Sequence, residues 1–146
     1  MNIPNYDDEH LCFGLLFMLS NRLQVLGDAF FEEITAKQWF FLAILGTFED
    51  NHPTINELSN AIESSHQNVK QLALKLQQKE LIELYPDEVD RRKCRIRMTS
   101  NCEQFNLKYQ EKEIKFMSQL FNHIDPASLK TTVTTLIRLK ENMEAL

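Results

Sequence analysis

NELSNAIESSHQNVKQLALKLQQK, residues 56–79, is the most informative stretch of this 146-residue chain for its fold. Asn56 is a good cap for a first short helix, and Ser64 or Ser65 caps a second helix that runs to about Lys79. The second helix has an apolar stripe at helical spacing, formed by Val69, Leu72, Ala73 and Leu76. Because only a very short turn separates the two amphipathic helices, the stretch predicts a helix-turn-helix.

A two-stranded hairpin follows the second helix. Its strands are predicted at Leu81–Tyr85 and Cys94–Met98, and residues 86–93 form the loop between them. Apolar residues of the second strand alternate with Arg95 and Arg97, which is the period of a strand with one face inward. A helix-turn-helix followed directly by such a hairpin is a winged helix, and we call the hairpin with its loop the wing.

Helices flank the winged helix on both sides. Residues 10–31 form a helix that is apolar nearly all round, so it must be buried on more than one face, and a partner subunit is a natural cover. Another flanking helix begins at Thr35, before the helix-turn-helix. After the hairpin, one helix covers 101–124 and Asp125-Pro126 starts the last helix of the chain. The predicted fold class is mainly α with a small β-hairpin wing.

The charge is distributed unevenly. The whole chain carries 16 Lys+Arg and 21 Asp+Glu, a net charge of −5. Residues 66–97 hold eight Lys/Arg and five Asp/Glu, so this segment has a charge of +3 and the remainder −8. One basic segment in an acidic frame indicates a local electrostatic footprint for a polyanion.

Several other classes of protein are disfavoured. The longest apolar run, 11–19, is too short for a bilayer, which needs roughly 20 residues, and it lacks the features of a signal peptide. Three cysteines at irregular spacing do not make a disulfide framework. No zinc spacing, phosphate loop or catalytic motif is present. We therefore expect a cytoplasmic protein that is not an enzyme, has no cofactor or metal and does not bind a membrane.

The N-terminal turns of the second helix carry the residue types that contact DNA. A helix in the major groove presents its first turns to base edges. Gln and Asn can form bidentate hydrogen bonds with adenine, Lys can reach guanine or phosphate, and a capped helix N-terminus suits a phosphate. The candidate contacts are Ser64, Ser65, His66, Gln67, Asn68, Lys70 and Gln71. A solvated polar face is the alternative explanation of the same pattern.

The wing adds a second candidate contact. Arg91, Arg92 and Lys93 lie at its tip, where a guanidinium can enter the minor groove. Asp90 is two residues before Arg92 and can pair with it, which would fix the direction of that arginine. Position directly after a helix-turn-helix favours this interpretation over a merely solvated loop.

The sequence resembles the multiple-antibiotic-resistance regulator (MarR) family of bacterial winged-helix transcription factors. The matching positions are Ile34-Thr-x-x-Gln38-Trp-x-x-Leu42, Thr54-Ile-Asn-Glu-Leu58, Ser65-x-x-x-Val69-x-x-Leu72-x-x-x-Leu76-x-x-x-x-Leu81-Ile82, Asp87-x-x-Asp90-Arg91-Arg92 and Met98-Thr99. The resemblance implies a single chain over 1–146, with a winged-helix DNA-binding region at 35–99 and dimerisation helices at 8–31 and 101–146. It also implies a homodimer that binds a pseudo-palindromic double-stranded operator, most often as a repressor.

Three positions depart from the family pattern. Glu80 stands where the family commonly has glycine after the recognition helix, and Glu63 stands where many members have glycine in the turn. A left-handed backbone at a residue other than glycine costs about 1 kcal/mol. Ser59 replaces a common alanine at the helix crossing, which is a milder change.

The resemblance also suggests effectors. Many relatives bind small aromatic or lipophilic ligands between the dimer helices and the winged helix, and here Phe13, Phe17, Trp39 and Phe40 are the candidate lining. One branch senses hydroperoxides with a cysteine near the start of the first helix, in a context similar to that of Cys12. Simple core packing, and an inert cysteine, are the competing interpretations.

Two other functions stay open from the sequence. The acidic total charge also suits a winged-helix module that binds protein and not DNA. A regulator that senses peroxide through Cys12 would differ only in its effector.

Overall fold

The computed structural model describes residues 6–146. Six helices and one hairpin follow in the order α1 (Asp8–Phe30), α2 (Ala36–Gly46), α3 (Ile55–Ile62), α4 (His66–Gln78), β1 (Ile82–Pro86), β2 (Cys94–Met98), α5 (Ser100–Leu120) and α6 (Pro126–Glu144). The expected fold class, mainly α with a two-stranded wing, is confirmed. No helix in this part of the chain is long and apolar enough to cross a membrane.

The chain forms two compact units, one up to Phe105 and one from Asn106 to Leu146. The first unit contains the winged helix. Its core lies where α2, α3 and α4 meet the hairpin, and its fully buried side chains include Phe41, Leu58, Val69, Ala73, Leu76, Ile82 and Ile96. The stripe predicted on the second helix therefore faces this core, except that Leu72 is only half-buried.

Helix starts follow local cap chemistry. Thr35 caps α2 and forms a capping box with Gln38, as the sequence predicts for Thr35. The cap predicted for α3 is wrong: Thr54, not Asn56, is its N-cap, and it forms a capping box with Glu57. Of the two serines considered for α4, Ser65 is the cap.

The hairpin pairs antiparallel, with Ile82 opposite Met98 and Pro86 opposite Cys94. A third segment joins the other edge of β2. There the Ile96 amide donates to the Pro53 carbonyl at 2.9 Å, and Thr54 forms an isolated bridge with Arg95. The wing is thus hydrogen-bonded to the backbone that leads directly into α3.

The first unit also holds α1 against α2. Gly27 is the buried residue of α1, and a β-carbon built there would lie 2.6 Å from the Cβ of Ala36. The Asp28 carboxylate accepts from the Ala36 amide at 2.7 Å. Only glycine permits this close approach of the two helices.

The second unit consists of the C-terminal part of α5 and the whole of α6. Asp125 caps α6, accepts from the Ser128 amide at 2.9 Å, and is followed by Pro126 at the start of the helix, as predicted. Helix α6 has no buried residue. Its exposed apolar side chains include Val133, Leu136, Ile137 and Met143.

Candidate nucleic-acid interface

Helix α4 presents the predicted polar surface. The Ser65 hydroxyl accepts from the Asn68 amide at 3.2 Å, which satisfies one of the unpaired N–H groups of the first turn. Val69 is fully buried, which orients the helix so that its N-terminal turns are exposed. The exposed residues there are Ser65, His66, Gln67, Asn68, Lys70 and Gln71, and Ser64 is half-exposed.

Asn68 is partly engaged within the helix start. Its side-chain amide donates to the Ser64 hydroxyl at 2.9 Å. One of the two N–H donors of the Asn68 amide is therefore engaged by Ser64, in the turn before α4. Gln67 and Gln71 are the better candidates for the bidentate pattern that adenine requires.

The turn between α3 and α4 is left-handed at Glu63, with φ 58° and ψ 44°. Glu80, just after α4, has the same φ of 58°. Both positions predicted as departures from a family glycine therefore have the backbone that favours glycine. The Glu80 carbonyl accepts from the Thr99 hydroxyl at 2.6 Å, which ties the end of α4 to the end of β2.

The wing loop is organised around Asp87, which is buried. Its Oδ1 accepts from the amides of Val89 and Asp90 at 2.9 and 2.8 Å, and its Oδ2 accepts from Nε of Arg95. The Asp90 amide, the Arg95 guanidinium and the Val89 amide together lower the pKa of Asp87 to about 2. Asp87 is therefore a carboxylate over the whole neutral range.

The wing tip is exposed and basic. Arg92 Nε donates to Oδ1 of Asp90 at 3.2 Å, so the contact predicted between these two side chains is present. The Arg92 side chain is 93% exposed. Within residues 6–146, Arg91 and Lys93 form no ion pair, and both are exposed.

The helix and the wing border one open groove. Its walls are the first turn of α3, the side chains of His66 and Lys70 from α4, and residues 92–95 of the wing, around a volume of about 410 Å³. Four of the predicted contacts, His66, Lys70, Arg92 and Lys93, therefore converge on one space. Glu57 is the acidic residue of this lining.

Two arginines of β2 are engaged with protein. Arg97 pairs with Glu83 at 2.6 Å and lies 5.2 Å above the ring of Tyr85. Arg95 pairs with Asp87 and also donates to the His52 carbonyl at 2.6 Å. The alternation of β2 predicted an outward Arg95. The structure leaves it half-buried, held by Asp87 in the same hairpin and by the His52 carbonyl, 43 positions away.

The candidate effector residues do not line this groove. Phe13 and Phe17 are exposed on α1 and pack edge to face with ring centres 5.1 Å apart. Trp39 is half-buried and stacks on Phe31 at 5.8 Å, and Phe40 is exposed. A ligand pocket at these four residues stays a prediction.

The three cysteines differ in their surroundings. Cys12, the candidate redox residue, is half-buried in the first turns of α1, and Cys94 is half-buried at the start of β2. Cys102 is fully buried, and burial raises its pKa to about 11, which makes it a poor nucleophile. Across residues 6–146, no three His, Cys, Asp or Glu side chains are grouped to hold a metal ion.

Comparison with known proteins agrees with this architecture. The MarR family model matches residues 33–93, from just before α2 to the wing tip. No curated protein sequence matches the chain. The resemblance seen in the sequence is thus confirmed over the winged helix.

Solved structures extend the likeness to nearly the whole chain. A MarR/EmrR family transcriptional regulator from Acinetobacter sp. ADP1 has a TM-score of 0.81 at 17% identity, covering 97% of this chain and 100% of its own. The MepR–DNA complex of S. aureus has a TM-score of 0.79 at 19% identity, and the match covers 94% of this chain and 99% of MepR. BpsR of Bordetella bronchiseptica has a TM-score of 0.77 at 18% identity, and the match covers 92% of this chain and 96% of BpsR. The DNA binding of BpsR is regulated by 6-hydroxynicotinic acid.

Proposed function

We propose that this MarR-like winged-helix chain is a transcriptional regulator, a repressor, that binds double-stranded DNA as a homodimer. The observation that carries the proposal is the shared groove, where the exposed start of α4 and the basic wing tip meet. In this arrangement α4 enters the major groove and supplies Gln67 and Gln71 to base edges. Arg92 enters the adjacent minor groove, with Asp90 beside it.

Charge supports DNA over a protein partner at this surface. Lys70, Arg91, Arg92 and Lys93 are exposed, whereas Arg95 and Arg97 are matched by Asp87 and Glu83. Within residues 6–146, Lys70, Arg91 and Lys93 form no ion pair, and Arg92 is paired only with Asp90 beside it at the wing tip. The unmatched positive charge therefore lies at the groove and the wing tip, where phosphates would pass. The acidic remainder of the chain does not need to approach the DNA. A winged helix solved in complex with DNA, that of MepR, has the same fold.

Apolar surfaces in both units support a homodimer. In the first unit, α1 exposes Phe13, Phe17, Met18, Leu19 and Val25. In the second, α6 buries none of its residues. Exposed apolar area of this extent marks an interaction surface, and a second copy of the chain covers both helices in the proposed dimer. Two recognition helices one turn of DNA apart then bind a pseudo-palindrome.

We further propose that a small aromatic or lipophilic molecule releases the DNA. The support is the fold shared with BpsR, whose DNA binding is regulated by 6-hydroxynicotinic acid. Phe13, Phe17, Trp39 and Phe40 remain the candidate contacts.

A gel-shift titration with the DNA upstream of the protein's own gene tests the proposed function. The same duplex with its bases shuffled is the control. We expect specific binding that weakens steeply with salt, because each phosphate neutralised contributes about −0.9 to the slope of log K against log[salt]. Equal affinity for the two duplexes at 50 to 200 mM salt would refute a sequence-specific regulator. No binding to either would favour a protein-binding module.

The oligomeric state has its own measurement. Analytical ultracentrifugation at micromolar concentration is expected to give one species of twice the chain mass of 17.2 kDa. Thermal unfolding should also shift to lower temperature on dilution, since dimer stability depends on protomer concentration. A monomer whose melting temperature is independent of concentration would contradict the dimer.

A further inference from the structure

We propose that Asp87 and Arg95 are positioning residues for DNA binding, which hold the wing, and through it Arg92, against the helix-turn-helix. The inference rests on the proposed DNA-binding function. It assigns a role to the ion pair between buried Asp87 and half-buried Arg95, whose charges match each other at the edge of the groove. We call Asp87, Arg95 and the His52 carbonyl the wing clasp.

The first half of the clasp organises the loop. The Asp87 side chain is 8% exposed and uses both oxygens, one for the amides of Val89 and Asp90 and the other for Arg95. The backbone of Asp90 is therefore fixed by Asp87. The Asp90 carboxylate in turn accepts from the backbone amide and from Nε of Arg92, both at 3.2 Å. A continuous path of hydrogen bonds thus runs from Asp87 to the wing-tip arginine.

The second half ties the loop to the helix-turn-helix. Arg95 donates from Nη1 to the His52 carbonyl at 2.6 Å, across 43 positions of the chain. His52 is followed by Pro53, which accepts from Ile96, and by Thr54, which caps α3. A movement of Arg95 would therefore move the wing relative to the start of α3. The His52 ring also contacts the hydroxyl of Tyr85 at 2.5 Å, and Tyr85 lies on β1, opposite Arg95.

Geometry separates this role from a direct phosphate contact. The Arg95 side chain is 32% exposed and its charge is matched by Asp87, whereas Arg92 is 93% exposed. The clasp also keeps its charges at neutral pH, because the Asp87 carboxylate and the Arg95 guanidinium each stabilise the ionised form of the other. Its contribution to DNA binding is therefore a fixed geometry.

Asp87→Asn distinguishes positioning from electrostatics by the sign of its effect. Removing a negative charge next to DNA strengthens binding if charge alone matters. Loss of the ion pair that holds the wing weakens binding if position matters. Glu83→Gln is the matched control, since it removes the same charge from the Arg97 pair, which contacts neither the wing loop nor the His52 carbonyl.

The experiment measures affinity for the upstream duplex at fixed salt, with circular dichroism and melting temperature as folding controls. We expect Asp87→Asn to weaken binding about tenfold and Glu83→Gln to leave it unchanged or tighter. In a double-mutant cycle, Asp87→Asn should cost little further affinity in an Arg92→Ala background, because the two changes act through one contact. Arg95→Gln should cost more affinity than Arg97→Gln, although each removes one positive charge.

Arg95→Lys covers the case in which Asp87→Asn does not fold. Lysine keeps the charge, but its single ammonium lacks the fork that spans both Asp87 and the His52 carbonyl. Weaker binding by a folded Arg95→Lys variant supports the clasp, and wild-type affinity overturns it. Binding by Asp87→Asn that is as tight as wild type, or a cycle that is additive with Arg92→Ala, also overturns it. Those results leave the proposed function standing, whereas wild-type protein that fails to bind specifically overturns both.

Discussion

Glu63 and Glu80 have the same left-handed backbone, with φ of 58°, on either side of the segment that forms α4. Residues other than glycine pay a steric cost in this region because Cβ approaches the backbone. The described residues contain no glycine with positive φ. Glu49 and His123 also have positive φ, so two of the four such residues within 6–146 flank the proposed recognition helix.

Glu63→Gly and Glu80→Gly are each expected to stabilise the fold by about 0.5–1 kcal/mol, the relief of left-handed strain less the entropy of glycine. The change in the midpoint of urea unfolding, relative to wild type, measures this stabilisation. Alanine at either position is the control, because it removes the carboxylate and keeps the strain. A gain as large with alanine as with glycine would show that charge, and not backbone conformation, is responsible.

Gly27→Ala is expected to destabilise the first unit by about 1–3 kcal/mol, because overpacking forces two helices apart. The new methyl group would meet the Cβ of Ala36 at 2.6 Å, and that atom is fixed by its backbone. Gly14→Ala in the same helix is the control. Among residues 6–146 of the same chain, no atom lies within 4 Å of its added carbon, so it should be neutral or stabilise the protomer by up to about 1 kcal/mol. Equal melting temperatures for the two variants would contradict the tight contact.

Arg92→Ala should weaken DNA binding about fivefold or more without loss of folding. It should also reduce the magnitude of the slope of log K against log[salt] by about 1. The reason is that Arg92 is the exposed arginine held by Asp90 at the wing tip. Lys79→Ala removes one charge at the far end of α4 and should have a smaller effect. Unaltered affinity of Arg92→Ala at moderate salt would exclude the wing as a DNA contact.

Gln67→Ala should change sequence preference more than overall affinity. Gln67 is exposed on the first turn of α4 and lies where base edges are contacted. Selection of bound duplexes from a randomised operator measures the change. An unchanged preference combined with a uniform loss of affinity would show that Gln67 contacts phosphate.

Asp87 makes part of the stability depend on acid pH. Its pKa is lowered to about 2 in the fold from 3.8, so its contribution is complete above the unfolded value and is lost as pH falls through the folded one. The difference in stability between wild type and Asp87→Asn should therefore be constant from pH 5 to pH 7 and should shrink from about pH 4 toward pH 2. Unfolding at a series of pH values measures it. A difference that does not change with pH would mean that the carboxylate is not held by these hydrogen bonds.

Local patterns predicted much of this structure. The stripe from Val69 to Leu76 identified α4, Asp125-Pro126 identified the start of α6, and the spacing of Asp90 and Arg92 indicated their contact. Each of these depends on residues within a few positions of one another. The departures from glycine at Glu63 and Glu80 also indicated the left-handed turns.

Contacts between distant residues were not predictable from local patterns. Asn56 and Thr54 are both good cap residues. Thr54 is the cap because Glu57 completes its capping box and because its backbone bridges to Arg95. Arg95 itself alternates in the sequence like an outward residue, and its second contact, with the His52 carbonyl, joins it to a residue 43 positions away. The wing clasp is therefore a property of the tertiary structure.

The way in which Asp87 closes the wing has a consequence for how such a protein diversifies. Asp87 captures the loop through the backbone amides of Val89 and Asp90, which every residue except proline can offer. The side chains of Glu88, Val89 and Arg91 are exposed, and Val89 is 97% exposed. These three positions can mutate without disturbing the scaffold of the loop. Substitutions at these three positions can thus change operator preference during evolution. The same three positions can be randomised in a designed library while the hydrogen bonds of Asp87 are kept.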